Sequence, residues 1–286
     1  MDPRIIALYD EYTHRPLARR TFLERLAGLA GSAAAATALL PLLENNYAQA
    51  AIIAPDHPAL ATERVTFKGP VGDVGAYVAT PKSGPAKRAG IVVIHENRGL
   101  NAHIEDIARR LATAGYTALA VDLLSTFGGT PSDEDTARAK IAQLQEDAVL
   151  RDLTAAIAYL KARPDATGKV GVIGFCWGGA MVNRLATVSA DLASAAAFYG
   201  RVPPMADVPK IKASLLLHYA GNDPGVNAGI ADYEAALKAS GVRYQRFLYD
   251  GAEHAFHNDT NAARYNKAAA ELAWTRTLAF FQVTLA

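Results

Sequence analysis

From residue 51 onward the chain alternates short apolar runs with longer amphipathic ones. Residues 91–94, 116–121, 170–173, 195–198 and 215–219 are short β-branched or apolar stretches, the pattern of strands buried on both faces. Between them Ile104-Ile107-Leu111, Leu150-Leu153-Ile157-Leu160, Met181-Leu185 and Tyr233-Leu237 recur at helical spacing. Strand and crossover helix in alternation predict an α/β domain: a doubly wound, mostly parallel sheet with helices on both faces. Residues 65–68 and 75–80 read as an antiparallel edge hairpin around 69–73, residues 243–249 as a further strand, and 262–281 as a closing helix. Arg163-Pro164-Asp165 and Ser240-Gly241 are helix stops placed before strands. No repeat and no Pro/Gly/Ser linker divides this stretch, so residues 51–286 read as a single domain.

Residues 1–50 differ. Arg19-Arg20-Thr21-Phe22-Leu23 precedes an uncharged stretch at 26–43, and Ala48-Gln49-Ala50 offers small residues where a signal peptidase would cut. Together these resemble a twin-arginine export signal, which implies a periplasmic or exported protein and the twin-arginine translocation machinery as a partner. Asp2, Asp10, Glu11 and Glu24 make the region less basic than a signal usually is. The alternative is a helical extension, retained in a cytoplasmic protein and packed on the body.

Composition narrows the function classes. The 286 residues are 51% hydrophobic, and 29 Lys plus Arg balance 28 Asp plus Glu. Neither a mainly disordered chain nor an electrostatic footprint for nucleic acid fits that balance. Cys176 is the only cysteine, which excludes an internal disulfide and Cys-rich zinc or iron–sulfur sites. No motif asks for a cofactor or a metal.

The solitary thiol sits in a distinctive place. Residues 169–180 read as a strand, a Gly174-Phe175-Cys176-Trp177-Gly178 turn, and a helix start. A nucleophile on such a turn is held in strained backbone geometry, and small residues two positions either side let strand and helix pass closely. The helix N-terminus favours thiolate over thiol. In α/β-hydrolases the acid and then the histidine follow on loops after later strands. Asp223 follows the strand at 215–219, and His254 follows the strand at 243–249. His254 would move the proton and Asp223 would fix its tautomer. His95 reads as a strand-end residue, His218 as core, and Asp250 and Glu253 as turn or surface groups. The loop after residues 91–94 supplies Asn97, whose backbone N–H would pair with that of Trp177 as an oxyanion hole.

The chain resembles the dienelactone hydrolase (carboxymethylenebutenolidase-like) family of α/β-hydrolases over roughly residues 60–285. The likeness is carried by His95-Glu96-x-x-Gly99-Leu100-Asn101, Gly174-Phe175-Cys176-Trp177-Gly178-Gly179, Phe198-Tyr199-Gly200, Gly221-x-Asp223 and His254-x-Phe256. The resemblance implies the α/β-hydrolase fold, a cysteine-dependent hydrolysis of a small-molecule ester or lactone, and a role for Glu96 beside the nucleophile. There Glu96 would keep the resting thiol largely neutral until substrate binds. The family's substrate-carboxylate arginines do not recur at 123–126 or 256–259. Arg98 and Arg201 are cations on other loops, and Tyr199 and His257 are candidate pocket walls. A thioesterase or acyl transferase on the same residues, or a non-catalytic binding protein that keeps the fold, remain open alternatives.

Overall fold

A computed structural model describes residues 1–15, 17–47 and 51–286. The edge hairpin is β1 (Leu60–Lys68) and β2 (Asp73–Pro81), followed by β3 (Arg88–Ile94), β4 (Thr117–Val121), β5 (Ala166–Phe175), β6 (Ser194–Phe198), β7 (Ser214–Asn222) and β8 (Tyr244–Glu253). They form one sheet in the order β1-β2-β4-β3-β5-β6-β7-β8. The strands from β4 to β8 in that order run parallel, and β1-β2 pairs antiparallel against β4.

Alternation along each strand splits the core in two. Val92, Ile94, Leu119 and Val121 face α6 (Glu146–Ala162), α7 (Trp177–Val188) and α9 (Ile230–Ala239). Ile91, Val93, Ala118 and Ala120 face α4 (Ala102–Thr113) and α10 (Lys267–Thr284). Both faces are covered, which is why these strands read as short β-branched or apolar runs.

The N-terminal stretch forms α1 (Pro3–His14), α2 (Arg19–Ala30) and α3 (Ala33–Leu43). Asp2 caps α1, Gly31 closes α2 in the left-handed region, and Ser32 caps α3. Ile5, Leu8, Tyr9 and Tyr12 make one stripe of α1, and they bury a small cluster with Phe22, Leu26, Ala36 and Leu43. Much of its union with the body is polar. Asn97 Nδ2 donates to Thr13 O at 2.7 Å, Arg98 Nη2 to Tyr9 OH at 3.0 Å, and Tyr12 OH to Asp135 at 2.6 Å. Arg19 pairs with Glu44 and Asp135, while Arg20 pairs with Glu24 on its own helix. Ala48-Gln49-Ala50 lies outside the described residues. Among the described residues no single helix is long and apolar enough to cross a membrane, and α2 and α3 meet at 109°.

Two elements differ from expectation. The closing helix begins at Lys267 because Asn266 caps it. The residues before it are held as a connection by Asn258 and Asn261, whose side chains accept from the Thr260 and Arg264 N–H groups. The other is α5 (Glu134–Ile141), a short helix capped by Asp133 that buries only Ala137 and Ile141, too little apolar periodicity to announce itself.

Candidate active site

The site gathers at the C-terminal ends of the parallel strands, where ligands bind in open α/β sheets. Cys176 joins β5 to α7 with φ 55° and ψ −116°, a backbone region that side-chain-bearing residues rarely enter. Its N–H donates to Phe198 O at 3.0 Å, which ties the turn to β6. A Cβ on Gly174 would fall 2.4 Å from Gly178 O, and one on Gly178 would fall 2.4 Å from His95 O. Only glycine lets α7 start this close to the end of β3.

β7 ends in Asn222, and Asp223 then caps α8 (Pro224–Asn227), with Oδ1 accepting from Val226 N–H. Oδ2 lies 2.5 Å from His254 Nδ1, just past β8. Both residues are buried. Burial opposes charge on His254, yet the sulfur of Cys176 and the Asp223 carboxylate outweigh it and hold the imidazole well above its ordinary pKa. Among the described residues its Nε2 has no hydrogen-bond partner. For the thiol, burial pushes upward, and the charges of His14 and His254 overcome it to bring Cys176 down to about 6.

The loop after β3 runs against α7, where a Cβ on Gly178 would meet the backbone of Ile94 and His95, and Asn97 and Trp177 both line the cavity over the elbow. The first N–H groups of a helix lack intrahelical acceptors. Among the described residues, neither the Asn97 nor the Trp177 N–H is matched to a backbone or side-chain acceptor. The rings of Trp177 and His95 stack at 5.5 Å. Glu96 is buried, and its Oε2 accepts from Asn258 Nδ2 at 2.7 Å, while Oε1 has no partner among the described residues. Among the described residues no hydrogen bond joins Glu96 to Cys176. The sulfur's partner is instead Nε2 of His14, at 3.1 Å. The flanking imidazoles favour the thiolate form of Cys176.

A cavity of about 1200 Å³ opens over the sulfur between α1, α5 and the loops after β3, β6, β7 and β8. Tyr199 lines it with φ 38°, its ring 5.1 Å from that of His254. Arg201 stands at its exposed rim. Arg98 does not reach it: the guanidinium is spent on Glu134, at 2.6 Å, and on Tyr9. His257 is buried elsewhere, stacked on Phe175 at 5.2 Å and beside Trp274. Among the wall residues that sequence reading missed are Asp10, His14, Arg138 and Arg264. The first two fall beside the apolar stripe Ile5-Leu8-Tyr9-Tyr12, a helical signal outweighed by the export-like arginines. One nitrogen each from His14 and His254 and the sulfur of Cys176 all lie within 4.8 Å of one another.

A sequence model of the "Dienelactone hydrolase family" matches residues 74–285. A protein named "Putative carboxymethylenebutenolidase" from Saccharolobus solfataricus is 33% identical over 73% of this chain and 93% of its own length. Another of that name from Methylorubrum extorquens is 31% identical over 94% of this chain and 96% of its own, an alignment too long to leave out the whole N-terminal stretch. Among solved structures, a "Putative Dienelactone Hydrolase" from Klebsiella pneumoniae superposes with a TM-score of 0.72 at 26% identity, covering 78% of this chain and 99% of that one. An acylaminoacyl peptidase from Pyrococcus horikoshii, at 16% identity and a TM-score of 0.62 over 78% of this chain and 42% of its own, shares the α/β-hydrolase fold. With the strained cysteine turn and the sheet order already in place, these matches make the chain a member of the dienelactone hydrolase family.

Proposed function

We propose that the protein hydrolyses small carboxylic esters or lactones through an acyl-enzyme on Cys176, with His254 as acid–base and Asp223 as its orienting carboxylate. The observation that carries this reading is the strained Cys176 turn set beside a buried His254 whose Nδ1 is held 2.5 Å from Asp223.

The thiolate attacks the carbonyl carbon, forming a C–S bond and a tetrahedral oxyanion that the Asn97 and Trp177 N–H groups would receive. As the C–O bond to the leaving group breaks, the alkoxide takes the proton from His254 Nε2. Water then gives a proton to neutral His254 while its oxygen bonds to the acyl carbon, and the C–S bond breaks to return the thiolate and release the acid. In a lactone the alcohol and acid leave as one molecule. Asp223 stays ionised and stabilises the imidazolium in both halves.

The cavity mixes apolar walls with Arg138, Arg201 and Arg264. Leu123, Leu124, Phe256 and His257, which stand where the family's substrate arginines were sought, are all buried and line no part of it. The substrate class is therefore a small ester or lactone whose anionic group, where present, meets these other cations. A panel of p-nitrophenyl esters, lactones and thioesters against wild type and Cys176→Ala tests the reading. Oxygen esters or lactones should be preferred, with about 10³-fold or greater loss in the variant. Near-normal turnover by Cys176→Ala would overturn it.

A further inference from the structure

The mechanism above uses one imidazole at Cys176, and the structure puts two there. His14, at the C-terminal end of α1, has Nε2 3.1 Å from the sulfur, and its ring stands edge-on to that of His254 with 4.6 Å between centroids. The other nitrogen is braced: Nδ1 lies 3.1 Å from Asp10 Oδ1 and 2.9 Å from Asp10 O. Asp10 Oδ1 in turn lies 3.6 Å from Nη1 of the buried Arg264. Residues four apart share a helix face, and the Asn97 bond to Thr13 O holds that face over the elbow. An aspartate–histidine pair thus approaches the sulfur from α1, opposite in origin to the Asp223–His254 pair of the sheet.

We propose that His14 is a second catalytic imidazole, supplied by the N-terminal segment, which takes the Cys176 thiol proton at rest and serves as counter-ion to the thiolate. The proposal rests on Cys176 being the nucleophile. In the step itself the S–H bond breaks, the proton passes to His14 Nε2, and Asp10 stabilises the imidazolium formed. The two histidines then divide the work. His254 must be cationic when the alkoxide leaves and neutral when water attacks, so it cannot also be a constant counter-ion. His14 supplies that charge both when sulfur attacks and when it is expelled, and in a buried site such a charge counts for more than in water. His14 faces Asp10, Cys176 and His254; the Tyr199 hydroxyl faces Cys176 and Glu96, and Asp223 faces His254. Burial opposes charge on His14, but the sulfur and Asp10 outweigh it and raise His14 to about 9. With the thiol near 6, thiolate and imidazolium coexist between those values.

The consequence is that residues 3–14 belong to the enzyme rather than to a leader that is discarded. The test uses the full chain, reading iodoacetamide labelling of Cys176 and hydrolysis of p-nitrophenyl acetate against pH. His14→Gln should raise the labelling midpoint by about one pH unit, cutting labelling and kcat/KM at pH 6.5 about threefold and approaching tenfold below about pH 5, with recovery at higher pH. Asp10→Asn should shift the midpoint less, in the same direction, and imidazole added to His14→Gly should restore labelling. An unshifted midpoint in a folded variant would reduce His14 to a packing contact. Faster labelling and higher turnover would make it a plug over the sulfur, and a native chain isolated from its host beginning near residue 51 would remove it from the enzyme; each result overturns the proposal. Activity surviving in Cys176→Ala sinks the underlying reading instead, so the two failures are told apart.

Discussion

Two parts of the molecule meet at the sulfur of Cys176, and they are built by different means. The body holds its contribution on a sheet covered by helices on both faces, so Cys176, Asp223 and His254 hang from strands β5, β7 and β8 with nowhere to move. The N-terminal segment holds His14 and Asp10 on a helix that buries one stripe of side chains and is tied to the body largely by polar contacts. Interactions of that kind open locally at lower cost than a strand core does. A rigidly held cysteine and a more loosely held imidazole are thereby combined in one site.

The largest expected contrast lies between the two aspartate–histidine pairs. His254→Ala should lower kcat by about 10³-fold or more and Asp223→Asn by at least about 10²-fold, since a wrong tautomer disables proton transfer in such triads. Asp10→Asn should cost less than about tenfold. Steady-state kinetics on one activated ester checks all three, and equal losses at Asp10 and Asp223 would erase the distinction drawn between the pairs.

Stability gives the next contrast. Leu119, fully buried in β4, should cost about 3 kcal/mol on change to Ala and lower the Tm of the whole protein by roughly 6–12 °C. Phe22→Ala removes a similarly buried ring that stacks on Tyr12 at 4.3 Å. Its damage should be confined to the segment: hydrogen exchange and protease cleavage rise in α1–α3 while the main thermal transition moves little. A drop in Tm matching that of Leu119→Ala would show that segment and body unfold as one unit.

The pH dependence follows from the same charges. Because the folded thiol is depressed to about 6, its labelling by iodoacetamide should persist at neutral pH and fall away only below about pH 6. A depressed acid also contributes stability at high pH, present above the thiol's ordinary range near 8.5 and lost as pH falls toward 6. His14, raised to about 9, contributes below its ordinary pKa and loses that contribution as pH rises through 9. A labelling midpoint near 8.5 in the wild type would contradict both. The smallest effect belongs to Arg19 and Arg20: their ion pairs are exposed, so changing both to Lys should shift stability by less than about 0.5 kcal/mol in a denaturant titration.

The same contrast governs how far the chain could be read from its letters. Strands β3 to β7 declared themselves because burial on both faces leaves a short β-branched or apolar run, and the elbow declared itself because close backbone passage demands glycine on either side of Cys176. Asp223 and His254 followed from strand order. What escaped was anything fixed by tertiary contact alone. His14 reaches the sulfur only because α1 docks through single side chains such as Asn97 and Tyr12, and no local pattern encodes that. Arg98 looked like a free loop cation, but its partner Glu134 sits on α5, an element the periodicity does not reveal. The placement of Glu96 likewise depends on Asn258, 162 residues away.

An acyl-enzyme on Cys176 would leave a covalent mark. Mixing the full-length protein with p-nitrophenyl acetate and quenching in acid during the first turnovers should give a burst of nitrophenol and a single acetyl group, mapped by peptide mass to Cys176. Absence of that adduct while turnover continues, or its appearance on another residue, would contradict it.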